Sequence, residues 1–203
     1  MARVAFLDTV HEVLWERLTA AGMDCLHAET TSRDDVLAGA LSTCKGIVLR
    51  SRLTVDAALL DALPEVQWIA RSGAGLDNID VAEAERRGVR VISSPEGNAT
   101  AVGEHAVGQL LALLHKLTRA DRHVRDGGWD RECHRGLELE ARTVGIIGFG
   151  NMGRSFARCL RGFGCRVLAY DKYTSGFAGE HGVEECSLDE PVSYTHLTLP
   201  TKA

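Results

Sequence analysis

The chain has 203 residues, enough for one large domain or two small ones, and 45% of them are apolar, ample for buried cores. A net charge of −5 argues against nucleic acid or an anionic membrane surface as a partner. No apolar run approaches the roughly 20 residues of a membrane span, and the opening MARVAFLD meets an acid too early for a secretory signal.

The first part alternates short strands and helices. Strands are expected over 3–8, 24–28, 46–50, 66–70 and 89–93. Helices are expected over 10–21, from the Ser32 cap to about 41, over 56–63, and over 81–87. Asp34 and Asp35 stand in the first turn after Ser32, where the helix dipole favours acids. Strands alternating with helices imply a parallel sheet covered on both faces. PEGN at 95–98 breaks this rhythm. Beyond it, residues 102–125 read as one long helix interrupted only by Gly108, and Gly127-Gly128-Trp129 ends it. A domain boundary is therefore expected near Gly97. It separates a flavodoxin-like α/β unit over 1–97 from a unit over 98–190.

The second unit carries the most informative motif. TVGIIGFGNMG over 143–153 runs an apolar, β-branched stretch into G-x-G-x-x-G. A helical pattern follows, then a second apolar strand over 165–170 ending in Asp171. This order makes a dinucleotide-binding βαβ unit. Gly148 permits the tight turn, Gly150 leaves room for a pyrophosphate, and Gly153 lets helix and strand approach. Asn151 and Met152 open the helix, whose free N–H groups favour an anion. Asp171 is placed to accept hydrogen bonds from ribose hydroxyls, and its charge favours NAD over NADP, with Lys172 beside it to soften the preference. The unit reads as an incomplete Rossmann domain, its first half only. After Ser187-Leu-Asp-Glu190 no helix is expected to follow, and residues 191–203 resemble a translated sequencing adapter, set apart as a non-native tail. The six cysteines lack C-x-x-C or metal spacing and read as reduced thiols, with no metal site.

From about residue 45 to 190 the chain resembles the D-isomer-specific 2-hydroxyacid dehydrogenases, closest to the branch acting on phosphoglycerate. The resemblance rests on IVLRSRLTV over 47–55, RSGAGLDNID over 71–80, NATAVGE over 98–104, the segment from Trp129 to Leu139, and the fingerprint itself. The second and third blocks are similar to R-x-G-x-G-x-D-N-I-D and N-T-x-S-V-A-E. The chain departs from the latter at Ala99, Ala101 and Gly103.

The resemblance implies an NAD-dependent, cytoplasmic oxidoreductase acting on a small 2-hydroxy or 2-keto acid, a homodimer when complete. Glyoxylate or hydroxypyruvate reduction is the runner-up, and an NAD(H)-sensing, corepressor-like binding protein is the alternative of another class. The loop Ser72-Gly73-Ala74-Gly75 is expected to offer backbone N–H groups to the substrate carboxylate, with Ala74 near the cofactor. Arg50 and Ser51 are expected to face the same substrate, Arg50 with a planar guanidinium suited to carboxylate or phosphate. The family's catalytic arginine, glutamate and histidine fall beyond Glu190. No catalytic residue is therefore assigned, and the chain as given is expected to be inactive. His196, in the tail, does not match the family's catalytic histidine.

Overall fold

The computed structural model describes residues 1–193. It divides into two compact units, Met1–Gly97 and a second from Asn98 onward.

In the first unit β1 (Arg3–Phe6), β2 (Asp24–His27), β3 (Gly46–Leu49), β4 (Trp68–Arg71) and β5 (Arg90–Ser93) form one parallel sheet. Its order is β2-β1-β3-β4-β5. This is the flavodoxin-like doubly wound arrangement, with its switch point between β1 and β3. Every residue of β3 is buried, as a central strand covered on both faces requires. Ile47, Leu49, Leu59 and Ile69 fill the core on one face of the sheet, and Val4, Phe6 and Val48 pack with Trp15 and Trp68 on the other.

The crossovers are α1 (Glu12–Ala20), α2 (Arg33–Leu37), α3 (Ala57–Asp61) and α4 (Val81–Arg86). Side-chain caps start the last three: Ser32 forms a capping box with Asp35, Asp56 accepts from Leu59 N, and Asp80 accepts from Glu83 N. Each such cap contributes about 1 kcal/mol. The helix expected to reach residue 41 ends at Leu37, because Ala38 caps it and Gly39 turns the chain at φ 93°.

The second unit contains α5 (Ala99–Leu114), α6 (Leu117–Arg125), β6 (Thr143–Ile147), α7 (Asn151–Leu160), β7 (Arg166–Tyr170), β8 (Val183–Glu185) and α8 (Asp189–Ser193). Its sheet is parallel in the order β6-β7-β8, one mononucleotide-binding half of a Rossmann domain. Two expectations are corrected here, and one strand is added. The single helix over 102–125 is two helices, broken not at Gly108 but at Lys116, which adopts a left-handed φ of 54°. Its ammonium group anchors the break by donating to the Cys133 carbonyl at 3.1 Å. Strand β8 was not foreseen, since Val-Glu-Glu carries little strand propensity; Arg166 on β7 holds Glu184 through a bidentate ion pair. A helix does follow the S-x-x-E signal: α8 takes in Pro191 and Val192, and Pro191 lies against Gly145 of β6. The rest of the proposed non-native tail, with His196, lies outside the described residues.

Helix α5 meets α7 at Gly103. A Cβ there would stand 2.6 Å from Ser155 Oγ and 2.8 Å from the Ser155 carbonyl carbon, so a bare α-carbon sets the spacing. Ser155 is 6% exposed, and its hydroxyl has no hydrogen-bond partner among the described residues. Gly103→Ala is therefore expected to cost about 1–3 kcal/mol by overpacking. Ser155→Ala, which removes an unsatisfied buried hydroxyl, is expected to be neutral or stabilising. Urea unfolding of both variants checks the pair.

Candidate functional site

The β6–α7 junction is built around its three glycines. Gly148 takes φ 97°, which turns the chain sharply out of β6. A Cβ on Gly153 would lie 2.1 Å from the Gly148 carbonyl oxygen, so only glycine lets α7 start this close to the strand. Open space surrounds the Gly150 α-carbon. Gly150 is the N-cap and provides no side-chain cap. Among the described residues nothing accepts from the N–H groups of Gly150, Asn151, Met152 or Gly153. Uncapped donors at the positive end of a ten-residue helix, facing open space, suit an anion.

Asp171 stands immediately after β7 and ties this junction together. Its Oδ2 accepts from Phe149 N at 2.7 Å, and its Oδ1 accepts from Tyr173 N at 2.8 Å and Thr174 N at 2.9 Å. These bonds, led by that from Tyr173, hold its carboxyl below the usual range against a smaller opposing effect of burial, and the charge of Arg154 adds to the lowering. A carboxylate offers about four lone-pair sites, so capacity remains for a ligand hydroxyl. Lys172, which could have offset the acid, instead places its ammonium 5.4 Å from the centre of the Tyr173 ring.

A depressed carboxylate stabilises the fold above its unfolded value of about 4, and that contribution is lost as pH falls through the lower folded value. Asp171→Asn is therefore expected to destabilise the protein at neutral pH, with the difference shrinking as pH falls from about 5 through the lowered folded value. Urea unfolding across that range checks the sign. A difference that stays constant would contradict the role of the charge.

In the first unit the sequence-derived candidates gather at the carboxyl ends of β3 and β4, beside the sheet's switch point, where open α/β sheets bind ligands. Arg50 N donates to Asp8 Oδ2 at 2.6 Å. Asn78 Nδ2 donates to the carbonyls of Arg50 and Leu53, at 3.1 and 2.8 Å. Ser94 N reaches Gly73 O at 3.0 Å. These bonds fix the loops after β1, β3, β4 and β5 to one another. The exposed guanidinium of Arg50 has no partner among the described residues, and Ser51 is exposed beside it.

The loop over 72–75 keeps fewer free N–H groups than the sequence implies. Ser72 N already donates to Leu49 O, and Gly73 N to Arg71 O. Within 72–75 the donors left are Ala74 N and Gly75 N. Arg71 folds back over this loop. Gly73, at φ 153°, lies so close that a Cβ would sit 1.7 Å from Arg71 Nη1. Arg71 Nε is buried without a hydrogen-bond partner, and no acid pairs with the guanidinium among the described residues. Arg52, by contrast, is fully engaged in structure, donating to Leu7 O and Thr31 O.

Sequence reasoning missed Asp8 and Asn78, whose side chains bond the loop after β3, and Arg154, which binds the turn between β6 and α7. Arg154 left a signal: a cation in the first turn of a helix opposes the dipole and calls for a compensating partner. Among the described residues there is no metal-binding cluster, and no helix is long and apolar enough to cross a membrane.

A flavodoxin-like unit with its loops stitched at the carboxyl edge, followed in the chain by a β–turn–α unit with G-x-G-x-x-G and a terminal acid, defines a two-unit α/β protein of the dinucleotide-fold class. Residues 4–200 match the D-isomer specific 2-hydroxyacid dehydrogenase catalytic domain. The chain belongs to this family, whose members are oxidoreductases acting on CH–OH groups. It is 31% identical over 191 residues to D-3-phosphoglycerate dehydrogenase of Rattus norvegicus, covering 94% of this chain and 36% of that protein. It is 40% identical over 159 residues to D-3-phosphoglycerate dehydrogenase of Mycobacterium bovis, covering 78% and 30%. A glyoxylate reductase from Paecilomyes thermophila superimposes with a TM-score of 0.76 at 26% identity, covering 94% of this chain and 61% of that one. The chain thus spans about a third of the length of the curated relatives it matches.

Proposed function

We propose that this chain is the substrate domain and the first nucleotide-binding half of a cytoplasmic, NAD-dependent D-2-hydroxyacid dehydrogenase that oxidises 3-phosphoglycerate to phosphohydroxypyruvate, the first reaction of serine biosynthesis. The observation that carries the substrate is the pair of arginines at the carboxyl edge of the first unit. Arg50 has an unpartnered guanidinium, and Arg71 has a buried, unpartnered Nε. A cation left unsatisfied beside two open N–H groups favours a ligand with more negative charge than a simple 2-keto acid. In this reading Ala74 N and Gly75 N hold the carboxylate, with Ser51, Ser72 and Gly73 shaping the loop, and the arginines select the phosphate.

The donor set at α7 fits a dinucleotide. Gly150, Asn151, Met152 and Gly153 would hold the pyrophosphate through backbone N–H groups, and Asp171 would bind the ribose diol. When bound, NAD supplies the hydride acceptor. Asp171 contributes a negative charge where NADP carries its 2′-phosphate, which supports NAD as the cofactor. No histidine of residues 1–193 falls where the family places its acid–base residue, so the reading assigns them binding and orientation, not proton transfer. Exposed Leu113, Leu117, Val124 and Trp129 on the second unit support a homodimer in the whole protein. The likeness to a glyoxylate reductase favours reduction of glyoxylate or hydroxypyruvate as the second reading.

In the full-length enzyme NAD is expected to bind more tightly than NADP. Asp171→Ala should weaken NAD binding by about 1.5–3 kcal/mol and narrow the gap. Tighter binding of NADP by the unmutated protein would overturn the cofactor. Arg50→Ala and Arg71→Ala should each raise KM for phosphohydroxypyruvate far more than for glyoxylate. An equal rise for both substrates would favour the glyoxylate reading.

A further inference from the structure

Arg154 follows the last glycine of the fingerprint and faces back onto the turn. Its Nη1 donates to the Phe149 carbonyl, its Nε donates to Glu180 Oε1 at 2.9 Å, and its guanidinium carbon lies 5.0 Å from the centre of the Phe149 ring. Phe149 is fully buried and stacks on Phe177 with ring centroids 4.4 Å apart. Glu180 belongs to the short turn Glu180–Gly182 that leads into β8.

These contacts fix two successive peptide planes. The peptide before Phe149 is held through its N–H by Asp171. The peptide after it is held through its carbonyl by Arg154. A trans peptide is planar, with its C=O and N–H pointing in opposite directions. Holding the Phe149 carbonyl therefore turns the Gly150 N–H away from Arg154, and that N–H has no acceptor among the described residues. Arg154 itself is turned inward, onto the Phe149 carbonyl, Glu180 and an aromatic face.

We propose that Arg154 is the positioning residue of the nucleotide turn. It aims the Gly150 N–H at the pyrophosphate by locking the Phe149–Gly150 peptide, and Glu180 holds Arg154 in place. This rests on the dinucleotide reading of the α7 N-terminus. It adds that the anion donors at that helix end are set by a side chain that does not touch the ligand, and that the loop before β8 takes part in nucleotide binding.

Calorimetric titration of the full chain with ADP-ribose and with adenosine tests this, because adenosine lacks the pyrophosphate that the Gly150 N–H would meet. Arg154→Met is expected to weaken ADP-ribose binding about tenfold, the effect of one charge-assisted bond acting through the peptide. Adenosine binding should be unchanged, and Arg154→Lys should recover part of the loss. An equal fall for both ligands would show that Arg154 only supports the fold, and no fall for either would also overturn the proposal. If Arg154→Met does not fold, Glu180→Ala removes the outer bond at a part-exposed site. It is expected to weaken ADP-ribose binding severalfold with adenosine unchanged, and an unaltered ADP-ribose affinity would overturn the proposal. If the unmutated chain fails to bind ADP-ribose, the dinucleotide reading itself falls, an outcome distinct from the failure of Arg154.

Discussion

The approach of α7 to β6 is the constraint from which the nucleotide half follows. With the Gly153 α-carbon set against the Gly148 carbonyl, where a Cβ would be 2.1 Å away, the helix begins within one turn of the strand's end. That places uncapped N–H groups beside the tip of β7, where Asp171 can reach the Phe149 amide. A larger residue at 153 would push the helix outward and part the helix terminus from the acid. Burying Phe149 completely, worth about 2–3 kcal/mol for such a side chain, holds the turn against the core. The open anion donors at this helix end are thus backbone N–H groups, and Asp171 and Arg154 hold the turn that presents them.

The first unit uses the same strategy at a different edge. Loops after four parallel strands end near one another because the doubly wound topology brings the carboxyl ends of β1, β3, β4 and β5 to one side. Short loops cannot satisfy all of their own polar groups, so side chains do it: Asp8 receives the Arg50 amide, Asn78 bonds two carbonyls, and Arg52 bonds two more. After this mutual bonding, the guanidinium of Arg50, the buried Nε of Arg71, the carboxylate of Asp77 and the N–H groups of Ala74 and Gly75 are left without partners among the described residues.

Much of this was legible in the sequence, and the exceptions have physical causes. The strands of the first unit and the β6–α7–β7 run follow from apolar runs punctuated by glycine and by Ser or Asp caps, signals that are local. Lys116 has no such signal: a lysine in a left-handed conformation is set by its tether to the Cys133 carbonyl, a contact 17 residues away. Strand β8 is held by the Arg166–Glu184 pair and by pairing to β7, not by propensity. The spacing of the glycines at 148, 150 and 153 was readable, but which N–H groups of the 72–75 loop remain open was not. That depends on the carbonyls of Leu49 and Arg71, fixed only when the loop closes. Arg154 was visible as a residue and invisible as a contact, since its partners Phe149 and Glu180 lie on either side of a complete strand.

The α7 N-terminus and Asp171 are proposed to form together one anion- and ribose-binding surface. Amide ¹H–¹⁵N spectra of the chain titrated with NADH test it most directly, because the donors in question are backbone N–H groups. The largest saturable shifts are expected at Gly150 to Gly153 and at Asp171 to Thr174. Saturable shifts confined to other parts of the chain, or none at all, would contradict it.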